Sequence, residues 1–111
     1  MAAIVMGGIA MVSLDDYIFD TLMRDLVSHD RKPVSFLVYL WLAAAHARTG
    51  QDVQVSFQEM AESVGVSKSS AQGAVRWLIR RKLLGARKEN ATAVPCYKVM
   101  TPWRDGPRRG R

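Results

Sequence analysis

The sequence predicts a single, mainly helical domain with a small β-hairpin, an α+β fold. The chain has 111 residues, which is the size of one domain. It is 49% hydrophobic and 23% charged, a composition typical of a folded chain. Helical spacing of apolar residues recurs along residues 13–82, and two strand-like runs follow within residues 84–100. We therefore expect a domain over residues 13–103, an apolar N-terminal extension over residues 1–12 and a basic disordered tail over residues 104–111.

The first helix is expected over residues 13–30. Ser13 followed by Asp16 is typical of a capped helix start. Apolar residues then recur at spacings of three and four, and the predicted face consists of Leu14, Tyr17, Ile18, Leu22, Met23 and Leu26. This face exceeds what a core of three further helices needs, so we expect a homodimer formed through Leu14, Tyr17, Ile18 and Leu22. The acidic residues of this helix are expected to be solvated.

The second helix is expected over residues 34–48. Pro33 suits a helix start and Gly50 a helix end. The intervening sequence, VSFLVYLWLAAAHAR, is apolar on almost every side. A helix of this kind normally lies between other elements, so Trp41 is expected to be buried. His46, near the end of the helix, is expected to be a cap or a surface residue.

Two short helices are expected over residues 56–64 and 67–82, after a short strand-like run at Val53 to Val55. Ser56 and Glu59 form a capping box at the start of the first of these helices. Gly65 ends that helix, and Ser67 can cap the next. Two short helices joined through one glycine are typical of a helix-turn-helix.

The segment Phe57 to Leu78, FQEMAESVGVSKSSAQGAVRWL, resembles the helix-turn-helix of bacterial winged-helix DNA-binding proteins. The matching positions are the small residue Ala61, the turn glycine Gly65, the apolar Val66 and the capping Ser67. Ala71 departs from the family, which often has a β-branched residue there. The resemblance covers residues 33–100, including Leu83-Leu84-Gly85 before a wing over residues 84–100. The most similar families are regulators of the multiple-antibiotic-resistance-repressor type and winged domains of plasmid or phage replication proteins.

The helix over residues 67–82 has two different faces on a helical wheel. One face is apolar, and the other, without any acidic residue, carries Ser69, Gln72, Gly73, Arg76 and Arg80. Gln can bond adenine and Arg guanine in the major groove, where a glycine permits close approach. That glycine costs about 1 kcal/mol relative to alanine. With Ser67 and Lys68 at the helix start, these residues are the predicted DNA contacts. The alternative is a solvated face with a tolerated glycine.

The predicted wing joins strand-like runs at Leu84 to Arg87 and Val94 to Met100 through a polar loop. The resemblance implies that Arg87, Lys88 and Asn90 contact phosphates or the minor groove. Pro95 predicts that the second strand lies at a sheet edge. Residues 101–111 are rich in Pro, Gly and Arg, and we expect them to be disordered, as a phosphate-binding arm or a solubilising tail.

The three tryptophans are expected to pack inside the fold. Trp77 and Trp103 could stack on single-stranded nucleic acid, but packing is the interpretation we prefer. On the helical wheel Trp77 lies at a flank of the apolar face. We therefore expect Trp77 to cover the apolar seam under the wing.

The charge of +6 is unevenly distributed. Residues 1–50 carry four basic and five acidic residues, which gives a net charge of −1. Residues 51–111 carry twelve basic and five acidic residues, which gives a net charge of +7. A polyanion would therefore bind the second half.

Cys96 is the single cysteine, which excludes an intramolecular disulfide and suits a reducing compartment. The apolar run at residues 1–12 is shorter than the about 20 residues that span a bilayer, so we expect a cytoplasmic protein.

The sequence contains no pattern typical of an enzyme. Gly7-Gly8 is not followed by the Lys-Ser/Thr of a phosphate-binding loop. His29 and His46 lie in separate elements without a nucleophile or a metal-ligand cluster. We therefore expect no catalytic residue, no metal or other cofactor, and no identifiable small-molecule effector.

The resemblance and the basic face together predict sequence-specific binding of double-stranded DNA, by a transcriptional regulator that acts as a homodimer. A second hypothesis is a plasmid or phage replication or maintenance protein that binds origin repeats. A third is a winged domain that docks proteins or binds RNA.

Overall fold

The computed structural model describes residues 11–105, which form a mainly helical domain with a three-stranded antiparallel sheet. The helices are α1 (residues 16–29), which contains the π-helical turns Ile18–Leu22 and Asp25–His29, α2 (Pro33–Thr49), α3 (Phe57–Val64), α4 (Lys68–Arg80) and the short α5 (Pro102–Asp105). The strands are β1 (Val53–Gln54), β2 (Leu84–Arg87) and β3 (Cys96–Val99). The predicted α+β class is confirmed. The expectations for residues 1–10 and 106–111 lie outside the described residues.

Helix α1 is apolar on its inner face at a spacing of four residues. Ile18, Leu22 and Leu26 are all buried, with 3%, 3% and 0% of their surface exposed. In a regular α-helix a spacing of four residues drifts gradually around the axis. The two π-helical turns of α1 are wider, which offsets this drift and keeps the three side chains on the core.

Helix α2 forms the centre of the core. It packs against α1, α3, α4, β1 and β3, which confirms the expectation that a helix apolar on almost every side lies between other elements. Val38, Tyr39 and Leu42 are completely buried, whereas Trp41 is half-buried. Pro33 occupies the first turn, and Gly50 ends the helix with a positive φ of 72°.

The connection between α3 and α4 is a tight turn formed by the residues that the sequence marks for it. Ser56 Oγ accepts a hydrogen bond from Glu59 N at 3.1 Å, and Ser67 Oγ accepts one from Ser70 N at 3.0 Å. Gly65 ends α3 with a φ of 88°, a left-handed conformation that favours glycine. These two caps and the glycine fix where α4 begins relative to α3.

The strand order in the sheet is β1-β3-β2, so β3 is the central strand. Val53 pairs with Tyr97, and Tyr97 pairs on its other side with Ala86. The prediction that Pro95 marks an edge strand is therefore wrong. Pro95 lies just before β3, where its missing N–H costs no ladder hydrogen bond, and its carbonyl oxygen accepts a hydrogen bond from Val55 N at 3.2 Å.

The chain after the sheet returns to α1 and does not form a disordered tail at residues 101–105. Trp103 stacks on Tyr17 with ring centroids 4.6 Å apart, and its Nε1 donates to Asp15 Oδ2 at 2.9 Å. Arg104 donates to both carboxylate oxygens of Asp15, each at 2.6 Å. The bonds from Arg104 and then Trp103 lower the pKa of Asp15 to about 2. The expected disorder is wrong here because Trp103 and Arg104 find partners on α1.

Candidate nucleic-acid interface

The structure divides α4 into the two faces that the helical wheel predicts. Its inner face is buried against α2 and α3 and consists of Ala71, Ala74, Val75 and Leu78. On the outer face, Ser69, Arg76 and Arg80 are exposed, while Gln72 and Gly73 are half-buried. No acidic residue lies in α4. The exposed part of the helix can therefore approach an anion without repulsion from its own side chains.

The start of α4 and the loop of the β2–β3 hairpin share one shallow cavity. Lys68 and Gln72 of α4 lie on one side, and Lys88 lies on the other, around a volume of about 290 Å³. Ser67, at the same end of α4, uses its hydroxyl in the helix cap. The predicted contacts on the helix and on the hairpin thus form one continuous surface at this point.

A second cavity, of about 360 Å³, lies between α4 and the hairpin. Arg76, Arg87 and Lys88 line it together with an apolar group that includes Val75 and Ile79. Ile79 is 41% exposed and was not among the predicted site residues. The sequence could have identified Ile79 by its spacing, because it is an apolar residue three positions after Arg76 and lies on the side of α4 that faces the hairpin.

Gly73 has open space around its missing side chain. A Cβ built at this position would meet only Arg76 Nη2, at 3.9 Å, which is an ordinary contact. No described part of the chain therefore requires glycine in the middle of α4. Since glycine lowers helix stability, the observation agrees with a role outside the chain's own packing.

Arg87 is bound to Asp52, just before β1, and does not lie at the tip of the hairpin. Its guanidinium donates a hydrogen bond to Asp52 Oδ2 at 2.9 Å. This hydrogen bond raises the pKa of Arg87, which is 67% exposed. The pair holds the hairpin against the start of β1, and a phosphate that binds Arg87 would compete with Asp52.

Asn90 shapes the hairpin loop. Its Oδ1 accepts hydrogen bonds from Thr92 N and from Thr92 Oγ1, both at 3.0 Å. Such a bond from an Asn side chain to the backbone two residues later is typical of a turn. Asn90 is exposed, so its position fits the predicted contact while its Oδ1 stabilises the turn.

Trp77 packs against the end of α1, and the prediction that it lies under the hairpin is wrong. Its Nε1 donates to Asp30 Oδ2 at 2.9 Å, and Arg81 also donates to this oxygen. Lys32 Nζ and Arg80 Cζ lie 4.9 Å and 5.8 Å from the Trp77 ring centroid. A tryptophan N–H seeks a polar partner, and α1 offers a carboxylate on this flank of α4.

Asp30 is a buried carboxylate that joins α1 to the C-terminal end of α4. Its side chain is only 5% exposed, which corrects the expectation of a solvated acid at this position, whereas Asp16 and Asp20 are exposed as expected. Burial alone would raise the pKa of Asp30. The hydrogen bonds from His29 and Trp77 and the charge of Arg81 outweigh burial and hold this pKa below its usual range.

The predicted dimerisation residues are used within the chain itself. Ile18 and Leu22 lie in the core, Leu14 packs against it, and Tyr17 stacks on Trp103. Part of the predicted apolar face is covered by α2 and by α5, which was not expected, whereas Met23 of the same predicted face is 41% exposed. A dimer through Ile18 and Leu22 would require α1 to leave the domain.

The remaining candidate groups form no metal-binding cluster in the described part of the chain. His46 Nδ1 lies 2.8 Å from Gln51 O, which fits the expected cap at the end of α2. Residues 11–105 contain no cluster of three His, Cys, Asp or Glu residues that could hold a metal ion. Over the same range, no helix has the length and apolar character needed to cross a membrane.

Comparisons of the chain with protein-family models, with curated proteins and with solved structures found no match. The resemblance to winged-helix proteins therefore stays a prediction from the sequence.

Proposed function

We propose that this chain is a winged helix-turn-helix protein that binds double-stranded DNA sequence-specifically. In this proposal α4 enters the major groove, and the β2–β3 hairpin is the wing that contacts the backbone or the minor groove. The observation that carries the proposal is the continuity between the acid-free outer face of α4 and the cations of the hairpin. Lys68, Gln72 and Lys88 line one cavity, and Arg76, Arg87 and Lys88 line the next.

Within this interface, the side chains divide by the chemistry they can perform. Gln72 and Arg76 carry the amide and guanidinium groups that read base edges, and they lie one helical turn apart on α4. Lys68, Lys88 and Arg87 are suited to phosphates, which fix the position of the protein on DNA without reading its sequence. Arg80, beside the Trp77 ring, is placed to contact a phosphate at the far end of the helix.

We further propose that the protein is a transcriptional regulator that acts as a homodimer. Two copies related by a two-fold axis would read half-sites about 34 Å apart, one turn of DNA. Selection of bound duplexes from a random pool tests both statements. An inverted repeat supports a symmetric regulator, while a series of direct repeats favours a replication or maintenance protein that binds origin repeats.

The role of α4 is tested by substitution and salt titration on the selected duplex. Arg76→Ala should cost about 1–3 kcal/mol and relax the preference at one base position, whereas Lys88→Ala should weaken all duplexes equally and reduce the salt slope by about 1. Arg48→Ala, which removes an exposed cation at the end of α2, is the matched control and should change neither quantity.

Two results would contradict the proposal. The first is a selected pool without any consensus sequence. The second is binding that is indifferent to both Gln72→Ala and Arg76→Ala. Preferential binding of single-stranded RNA over duplex DNA would instead support the RNA-binding alternative.

A further inference from the structure

Helix α1 carries a second apolar stripe on the face that points away from the core. Phe19, Met23 and Val27 follow one another at a spacing of four residues and are 43%, 41% and 39% exposed. Leu37 of α2 is 45% exposed and lines the same groove as Met23 and Val27. We call these four residues the α1–α2 patch. Since the inward stripe of α1 already fills the core, the α1–α2 patch is surplus to the packing of one chain.

The α1–α2 patch includes a groove between the two helices. Met23, Val27 and Leu37 line it together with Pro33 and Phe36, around a volume of about 490 Å³. No part of residues 11–105 covers this groove, because its lining residues Met23, Val27 and Leu37 remain exposed. A contiguous apolar surface of this kind is typical of a protein interface.

We propose that a second copy of this chain covers the α1–α2 patch, with the two α1 helices packed antiparallel across a two-fold axis near Met23. In this arrangement Met23 contacts the partner's Met23, and Phe19 contacts the partner's Val27, because the two positions are equidistant from the axis. The inference deepens the homodimer of the proposed function on which it rests. It replaces the predicted interface through Ile18 and Leu22 with the opposite face of the same helix.

Charge complementarity is the reason for choosing a second copy and an antiparallel direction. Beside the apolar stripe runs a stripe of exposed charged residues, Asp16, Asp20 and Arg24, also at a spacing of four. It is acidic toward the start of α1 and basic toward its end. In an antiparallel pair each flanking stripe faces its own reversed copy. Asp20 then lies beside the partner's Arg24, offset along the helix by two residues or about 3 Å, which the long Arg24 side chain spans. By the symmetry of the pair, Arg24 lies beside the partner's Asp20 in the same way.

The proposed interface also connects self-association to DNA reading. The outer face of α1 would contact the second copy, while Asp30 at the end of α1 is bonded to Trp77 and Arg81 at the end of α4. The position of α1 in the dimer would therefore set the separation of the two α4 helices. Binding to an inverted repeat requires two α4 helices at a fixed separation.

Sedimentation equilibrium of the full chain between about 1 and 100 µM tests the interface, since the population of a dimer follows protomer concentration. The unmodified chain should form dimers in this range. Val27→Glu places a carboxylate in the α1–α2 patch and should raise the dissociation constant at least about 10-fold. Val94→Glu, at an equally exposed apolar position on the hairpin loop, is the matched control and should leave dimerisation unchanged.

A charge exchange tests the antiparallel direction without touching an apolar residue. Asp20→Arg places two arginines opposite each other, and Arg24→Asp places two aspartates opposite each other, so each should raise the dissociation constant by about 3–10-fold. The double variant Asp20→Arg/Arg24→Asp restores opposite charges and should return to within about 2-fold of the unmodified chain. Circular dichroism of each variant shows that the fold is retained, since both side chains are exposed.

Three results would overturn the inference: a monomer at every concentration, dimerisation unaffected by Val27→Glu, or a double variant as weak as the single ones. Failure of the DNA-binding proposal has a different signature, because a chain that dimerises as expected would then bind no duplex. Conversely, a chain that is monomeric and binds a single half-site would overturn the interface and leave DNA binding intact.

Discussion

Replacement of Gly73 by alanine should have opposite effects on folding and on the proposed DNA recognition. The new Cβ would meet only Arg76 Nη2 at 3.9 Å, so the free protein can accept it without rearrangement. Alanine stabilises a helix interior by about 1 kcal/mol relative to glycine. For a domain of this size, that gain should raise Tm by about 4–8 °C.

The same substitution should weaken recognition if the backbone of α4 approaches the bases at Gly73. We expect binding to the selected duplex to fall at least about 10-fold, or about 1.4 kcal/mol. Binding to unrelated duplexes should stay within about 2-fold, because it depends on phosphate contacts that the substitution leaves in place. The measurements are thermal unfolding and fluorescence anisotropy with a labelled duplex.

Gly85→Ala is the matched control for this prediction. Gly85 lies in β2, and a Cβ there would meet Lys98 Cβ at 3.8 Å, again an ordinary contact. Gly85→Ala should leave the affinity for both the selected duplex and the unrelated duplexes unchanged. If Gly73→Ala raises Tm but binds the selected duplex as tightly as the unmodified chain, the glycine has no role in close approach, and α4 does not read bases at this point.

Three further changes test the contacts that surround the interface. Asp30→Asn removes the charge that faces Arg81 and should lower the free energy of unfolding by about 1–3 kcal/mol in urea titrations; a loss no larger than that of the exposed control Asp16→Asn would show that the buried carboxylate is dispensable. Asp52→Asn releases Arg87 and removes a negative charge beside the hairpin. The affinity for duplex DNA should therefore rise by about 2–5-fold at low salt and converge with that of the unmodified chain at high salt. A reduced affinity would mean that the ion pair with Asp52 positions Arg87 for DNA. The pKa of Asp15 is lowered from 3.8 to about 2, so the stability that Asp15 contributes is complete above pH 3.8 and is lost as the pH falls toward 2. Acid unfolding of Asp15→Asn should lack this loss of stability between pH 3.8 and about 2. An acid-unfolding profile equal to that of the unmodified chain would refute the contribution of Asp15.

The elements that sequence reasoning predicted well are those with local signals. The caps at Ser56 and Ser67 and the turn at Gly65 depend on residues within three positions of each other, so pattern and structure agree there. The inner face of α4 also follows from periodicity alone. Local hydrogen bonding and helical spacing are therefore sufficient to place the candidate site on α4.

The contacts that sequence reasoning missed depend on partners far away in the chain. Trp103 and Arg104 bind Asp15 across a separation of up to 89 residues, and Arg81 binds Asp30 across 51 residues. A Pro-, Gly- and Arg-rich composition predicts disorder unless a specific partner exists, and nothing in the local sequence identifies that partner. Likewise, no residue pattern predicted the two π-helical turns of α1, which contain the buried Ile18, Leu22 and Leu26.

The contact of α5 with α1 has a consequence for synthesis on the ribosome. Asp15 acquires the Trp103 and Arg104 hydrogen bonds only after the chain has been made through Arg104 and has left the exit tunnel. Until then, Tyr17 also lacks the ring that stacks on it. The start of α1 therefore gains its last contacts only when α5 has been made, long after α2 can pack on the second π-helical turn of the same helix.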